Sequence, residues 1–247
     1  MAQALAQAGA ELVCAARTVA QLEETVEEIH AAGGRARAVP TDVTDSTQVN
    51  HLIEACVEAY GKLDIMVANA GGGGGSRGNW EFWDYPDEAF EDVLATNLKS
   101  NFYCNRAAAR HMVARGSGGV IINVASGTAL RGNRHFAYPT AKGGVISLTK
   151  SVATMLGPHN IRANVIIPGF VLKGPPADER RAALAKQHGQ MVPVRRLGEW
   201  WKLGPLCVFL ASNASQYITG QSFIIDGGGL TGGLGPSGFI PRHVLEY

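Results

Sequence analysis

Two rhythms of apolar and polar positions alternate along the chain, one at helical spacing and one of short continuous apolar runs. Residues 1 to 8 (MAQALAQA) are good helix formers throughout, and Gly9 fits a helix cap. Glu11 to Ala16 (ELVCAA) predicts a strand ending in Arg17. Val19, Leu22, Val26 and Ile29 then recur at helical spacing until Gly33 and Gly34 stop the run. Ala36 to Thr41 predicts a second strand. Asp45 and Gln48 resemble a capping pair ahead of an apolar helix face of Val49, Leu52, Ile53, Cys56, Val57 and Tyr60. Leu63 to Ala68 predicts a third strand, which runs into Asn69-Ala70-Gly71 and further glycines to Gly75.

The second half keeps the alternation. A helix is expected from Asp87 to Arg115, a strand from Gly119 to Val124, and a helix after Tyr138 with a stripe of Val145, Leu148, Val152 and Leu156. Ala163 to Ile167 reads as a strand ended by Pro168-Gly169. Residues 170 to 196 show weak periodicity and read as an irregular excursion or lid, the expected place of substrate selection. Leu203 to Leu210 predicts a helix and Ser222 to Ile225 a closing strand. Strands apolar on both faces, alternating with helices, imply a three-layer α/β domain with a doubly wound parallel sheet. No internal repeat or linker divides it, so one domain is expected over 1–229, with 230–247 as a C-terminal arm.

Composition narrows the partners. A net charge of +1, from 22 basic and 21 acidic residues, leaves no electrostatic footprint for nucleic acid or an anionic membrane. The four cysteines lack metal-ligand spacing, which makes a reduced, intracellular protein the default. No apolar run approaches a membrane span, and the N-terminus has no charged region followed by an apolar one, so a cytoplasmic protein is expected.

The chemistry concentrates in Ser126 to Lys142. Tyr138 and Lys142 are four apart, so on one helix they share a face and an ammonium can sit beside a phenol. A nearby cation favours phenolate and draws its pKa down from about 10 toward working pH. Ser126 offers a hydroxyl to a substrate oxygen, and Pro139 suits a helix's first turn. Tyr-x-x-x-Lys by itself also fits a tyrosine packed on a surface lysine stem. The group Trp80, Phe82, Trp83 and Tyr85 reads as a packing or subunit-contact patch outside the site.

Taken in order, these motifs resemble the short-chain dehydrogenase/reductase family over residues 1 to about 228. Asp42-Val43 looks like the family's adenine contact, though Asp42 also suits a turn cap. Asn69-Ala70-Gly71 looks like its sheet-stabilising, ribose-side turn. Asn97 falls at its catalytic asparagine, Ser126, Tyr138 and Lys142 at its serine and Tyr-x-x-x-Lys, and Pro168-Gly169 with Val171 at its nicotinamide-side turn. The resemblance implies a Rossmann-like fold and hydride transfer between a nicotinamide cofactor and a ketone or secondary alcohol, with Tyr138 moving the proton. It implies that Lys142 lowers the Tyr138 pKa and holds the ribose, that Ser126 orients the substrate and that Asn97 fixes a water. It also implies a homodimer or homotetramer. At the end of the first visible strand, where an acid would select NAD, stands Ala16 followed by Arg17, so NADP is expected over NAD. Epimerases and dehydratases among extended relatives share Tyr-x-x-x-Lys, but the chain is short for their larger substrate domain.

The departure lies at the N-terminus. The family opens with a strand and a Thr-Gly-x-x-x-Gly-x-Gly turn that holds the pyrophosphate, and this sequence has neither. Met1 falls inside the family's first helix, roughly twenty residues into the pattern. The true start is therefore expected upstream, the alternative being a truncated, catalytically impaired Rossmann-like protein serving as a binding or subunit-interaction module. In the order 3-2-1-4-5-6 the absent strand is central, so the strands at Glu11 and Leu63 are expected to face a gap.

Overall fold

The computed structural model describes residues 1–72, 80–131, 135–172, 174 and 177–232. Gly73, Gly74 and Gly75 of the glycine run and all but the first three residues of the expected arm lie outside the described residues. Helix α1 (Ala2–Gln7) leads into β1 (Glu11–Ala16), α2 (Val19–Ala31), β2 (Arg35–Pro40), α3 (Ser46–Tyr60) and β3 (Ile65–Ala68). Helices α4 (Asp87–Leu94) and α5 (Ser100–Arg115) precede β4 (Gly119–Val124), α6 (Ala137–Leu156) and β5 (Ile161–Pro168). The chain continues through β6 (Val171–Leu172), α7 (Glu179–Gln190), β7 (Gly198–Glu199), α8 (Leu203–Ala211) and β8 (Ser222–Ile225).

Local chemistry accounts for the boundaries. The Asp45 carboxylate accepts the Thr47 and Gln48 amides at the head of α3, while the Gln48 side chain both donates to Asp45 and accepts the Asp42 amide at 2.8 Å. Gly61 ends α3 and Gly116 ends α5, both left-handed at φ 75° and 74°. The run expected as one helix from Asp87 to Arg115 contains a π-helical turn at Ala95–Lys99 between α4 and α5. The turn, ATNLK, contains no glycine or proline to mark it, so sequence pattern does not reveal it.

Strands β3, β4, β5 and β8 form one parallel sheet in that order. On one face Val120, Ile122 and Ile166 pack against Leu5, Cys207 and Leu210 of α1 and α8. On the other, Ile121 and Ala163 meet Val49 and Ile53 of α3 and Ala108 and Met112 of α5. The three layers follow from this alternation of buried residues along each strand.

The expected gap is present. Strands β1 and β2 form their own parallel pair, and no ladder joins β1 to β3 among the described residues. β1 is therefore peripheral, and none of its residues is fully buried, whereas β4 is buried from Val120 to Val124. Packing joins what the backbone does not. Leu12 of β1 and Ile65 and Val67 of β3 share an apolar cluster with α1 and α8, and from α3 the Tyr60 hydroxyl donates to the Leu12 carbonyl at 3.1 Å.

Two expectations change. The stretch from 170 to 196 carries the twelve-residue helix α7, capped by Asp178 accepting the Arg181 amide at 2.7 Å. Of its residues only Gly189 is buried, which is why its periodicity was weak. On α6 the buried stripe is Ala137, Ala141, Lys142, Val145, Thr149 and Ala153; Leu148, Val152 and Leu156 lie at its half-exposed flank. Lys142 and Thr149 are polar and so escaped a hydrophobic reading.

Candidate active site

The site assembles at the carboxyl ends of the parallel strands, where open α/β sheets bind ligands. β4 ends at Val124 and delivers Ser126, which caps a short helical turn at Gly127–Leu130; its Oγ accepts the Thr128 amide at 3.3 Å and the Thr128 hydroxyl at 3.0 Å. Tyr138 stands in the first turn of α6, near enough to Ser126 for that hydroxyl to act on the phenol. One turn on, Lys142 is 3% exposed and donates from Nζ to the Val124 carbonyl at 2.9 Å. Its ammonium lies 5.9 Å from the Tyr138 ring centroid.

Asn97 sits in the π-helical turn and is wholly buried. Its Nδ2 donates to the Val93 carbonyl at 3.1 Å, and its Oδ1 accepts the Gly72 amide at 3.1 Å. The turn after β3 closes over both residues: a Cβ on Gly71 would fall 2.8 Å from Asn97 Oδ1 and 3.0 Å from Lys142 Nζ. Only glycine allows this approach. The structure therefore brings Gly71, Asn97, Ser126, Tyr138 and Lys142 together. Behind Asn97, Asn101 donates to the Asn97 carbonyl at 3.1 Å, and Asn123 donates to Thr149 Oγ1 at 2.9 Å, extending a polar seam inward.

The electrostatics differ from the simplest expectation. Burial pushes the Tyr138 phenol up, and the Ser126 hydroxyl draws it only part of the way back. Burial also lowers the Lys142 ammonium to about 8. The amine that was expected to lower the phenol is turned to the Val124 carbonyl and lies against the ring rather than on the hydroxyl.

The remaining residues lie around this centre. Arg17 follows β1 and its charge helps hold the Asp42 carboxyl below its ordinary value, after the larger effect of the Thr44 amide and hydroxyl that Asp42 accepts at 2.9 and 2.7 Å. Asp42 thus does cap its own turn. Val43 packs partly buried against the α3 and α5 core. Asn69 and Ala70 are exposed, and Asn69 makes no side-chain hydrogen bond to the sheet among the described residues. Pro168 ends β5, and the Gly169 amide donates to the Ile225 carbonyl at 2.8 Å. A Cβ on Gly169 would fall 2.4 Å from Asp226 Cβ, so that turn too requires glycine. Val171 pairs opposite Gly198 in the small β6–β7 sheet.

Sequence pattern missed two neighbours. Phe136, two residues before Tyr138, is ringed by Phe82 and Tyr85 at 4.8 Å each and by Phe90 at 5.9 Å, so part of the aromatic patch packs against the start of α6. Leu230, assigned to the arm, donates its amide to Asp226 and places its side chain 3.5 Å from the Cβ position of Gly127. A cavity of about 460 Å³ lined by His30, Arg35, Arg37 and Tyr60 opens at the amino end of β2, on the opposite edge from this chemistry.

The amine, phenol and guanidinium at these strand ends suit the ribose and phosphate oxygens of a dinucleotide. Among the described residues no glycine-rich turn at a helix N-terminus offers a pyrophosphate site. No group of histidine, cysteine or carboxylate side chains suited to a metal occurs among them, and no described helix is long and apolar enough to cross a membrane.

The family model described as enoyl-(acyl carrier protein) reductase matches residues 1–229. The chain is 39% identical over 208 residues to L-rhamnose 1-dehydrogenase (NAD(P)(+)) of Azotobacter vinelandii, covering 82% of this chain and 78% of that one. It is 35% identical over 236 residues to 2-dehydro-3-deoxy-D-gluconate 5-dehydrogenase of Escherichia coli, covering 93% and 89%. A crystal structure of a short-chain type dehydrogenase/reductase from Mycobacterium marinum superposes with a TM-score of 0.83 at 36% identity, covering 92% of this chain and 88% of that one. The chain belongs to the short-chain dehydrogenase/reductase family. Homology and fold together support an NAD(P)-dependent oxidoreductase acting on carbonyl or alcohol groups.

Proposed function

We propose that the protein is an NADP-dependent oxidoreductase that interconverts a carbonyl and a secondary alcohol, with Tyr138 as general acid and base. The observation that carries this reading is the convergence of Ser126, Tyr138 and Lys142 under the Gly71 turn. When bound, the nicotinamide supplies or takes the hydride. In reduction Tyr138 gives its proton to the substrate oxygen, which Ser126 Oγ polarises. Lys142, anchored on the Val124 carbonyl, places positive charge beside the ring as the phenolate forms. Asn97 holds the Gly72 amide and so the turn above Lys142, and orders a water toward it.

On this reading Tyr138, Lys142, Asn69, Ala70, Gly71, Pro168, Gly169 and Val171 hold the nicotinamide half, and Arg17, Asp42 and Val43 the adenosine half. The guanidinium of Arg17 favours a 2′-phosphate, hence NADP over NAD. The protein acts in the cytoplasm as a homodimer or homotetramer on a small polar ketone or alcohol, with a domain to Gly229 and an arm beyond. A titration with NADPH followed by fluorescence, with hydride transfer assayed in the native chain and in Tyr138→Phe, tests this. Saturable binding and turnover lost only in the variant are expected; full activity in Tyr138→Phe sinks the assignment. The unpaired facing edges of β1 and β3 favour a second reading, a catalytically impaired binding or subunit-interaction module. Absent NADPH binding would select it.

A further inference from the structure

The short helical turn after Ser126 ends at Arg131, whose guanidinium lies 5.7 Å from the centroid of the Phe170 ring. Phe170 stacks in turn on His188 of α7, with centroids 6.0 Å apart and planes inclined by 25°. Three parts of the chain meet here, and the first two are tightly joined: the Cβ position of Gly127 falls 3.4 Å from the Pro168 carbonyl and 3.7 Å from Gly169 Cα. At about 2 Å per residue along such a turn, Arg131 stands about 10 Å from Ser126. A substrate of several carbons spans that interval.

Arg131 is half-buried, yet among the described residues no carboxylate pairs with it and no side-chain hydrogen bond uses its guanidinium. A guanidinium laid on an aromatic face keeps its edge free. That edge presents two parallel N–H donors, the arrangement that binds a carboxylate. The Phe170 ring, 40% exposed, offers an apolar wall alongside, and His188 backs it from α7.

We propose that Arg131 is the specificity-determining residue of this site and binds the carboxylate of a hydroxy or keto acid whose reacting carbon lies at Tyr138. The assignment rests on the oxidoreductase reading above. A phosphate ester would meet the same donors, so the test must separate the two anions.

Calorimetric titration of the full chain, with and without NADP, uses three probes: D-gluconate, the neutral polyol D-glucitol, and D-glucitol 6-phosphate. D-Gluconate is expected to bind at least about tenfold more tightly than D-glucitol, as a charged hydrogen-bonded pair implies, and more weakly as salt rises. Arg131→Met keeps an unbranched apolar side chain without the charge and should abolish that preference, while Arg131→Lys restores charge without the fork and should recover part of it. Equal binding of acid and polyol, preference for the phosphate ester, absent gluconate binding, or an unchanged Arg131→Met each overturns the proposal. Equal kcat/KM on gluconate and glucitol would sink it and leave the oxidoreductase reading standing. Gluconate binding through Arg131 with no hydride transfer would do the reverse.

Discussion

Gly71 lies directly against the Lys142 ammonium: the Cβ it lacks would stand 3.0 Å from Nζ. One residue on, the Gly72 amide is held by Asn97, and Lys142 itself is held by Val124. Thus β3, the π-helical turn, β4 and α6 are tied at one point, and the amine is buried by construction rather than by chance. Its lowered affinity for a proton follows from that burial.

Lys142 should therefore leave a mark on stability. Below its folded pKa of about 8 the amine is charged in both states and the cost of burying it is fully present. As pH rises through about 8 the native state loses the proton while the unfolded chain keeps it to about 10.4, so this group stabilises by up to about 3 kcal/mol across the window. Cys104 and Cys207, raised to about 11 by burial, act in the opposite sense at the upper end. The difference between the native chain and Lys142→Met cancels them. Urea denaturation at pH 7.5 and 10 is expected to show the native chain gaining on the variant; a constant difference would contradict the assigned burial.

Gly71→Ala tests the same contact sterically. A methyl group 2.8 Å from Asn97 Oδ1 must displace Asn97, Lys142 or the turn. A displacement of this size costs about 100-fold in turnover when a catalytic group is misplaced by an ångström. The backbone at Gly71 is also strained for alanine and the displaced groups are buried, so a loss of stability of about 1–3 kcal/mol is expected as well, and kcat measured well below the melting transition distinguishes the two effects. A normal kcat would mean that the approach has no bearing on the chemistry.

The order of elements was legible because apolar runs and capping residues are local; Gly119–Val124 and Ser222–Ile225 lie where the pattern puts them. So was the gap beside β1, since it follows from which motif the sequence lacks. What stayed hidden depends on backbone or on tertiary contact. No pattern marks the Val124 carbonyl as the partner of Lys142, and the π-helical turn that buries Asn97 has no glycine or proline to announce it. The helix α7 is exposed on nearly all sides, so nothing in its apolar spacing announces it. Arg131 and Phe170 are 39 residues apart and only the folded chain stacks them.

Tyr60→Phe examines how the two sheets are joined. The hydroxyl donates to the Leu12 carbonyl of β1, while the ring lies 5.9 Å from the Arg35 guanidinium. The variant keeps the ring and removes one hydrogen bond, so a loss of about 1 kcal/mol is expected. Hydrogen exchange should localise it, with amides of β1 and β2 exchanging faster and those of β4 and β5 unchanged. Uniform acceleration would show instead that the two sheets unfold as one unit.

Arg17→Asp bears on cofactor choice. Arg17 stands exposed at the end of β1, and its charge reaches the Asp42 carboxyl. Replacing it with an acid removes the partner expected for a 2′-phosphate and adds a group suited to a 2′-hydroxyl. The NADPH dissociation constant should rise by about tenfold or more, as for the loss of one charged hydrogen bond, while that of NADH holds or falls. Because the new carboxylate also faces Asp42, Arg17→Ala serves as the control: it should weaken NADPH without favouring NADH. Equal affinities for both cofactors in all three proteins would remove Arg17 from the cofactor site.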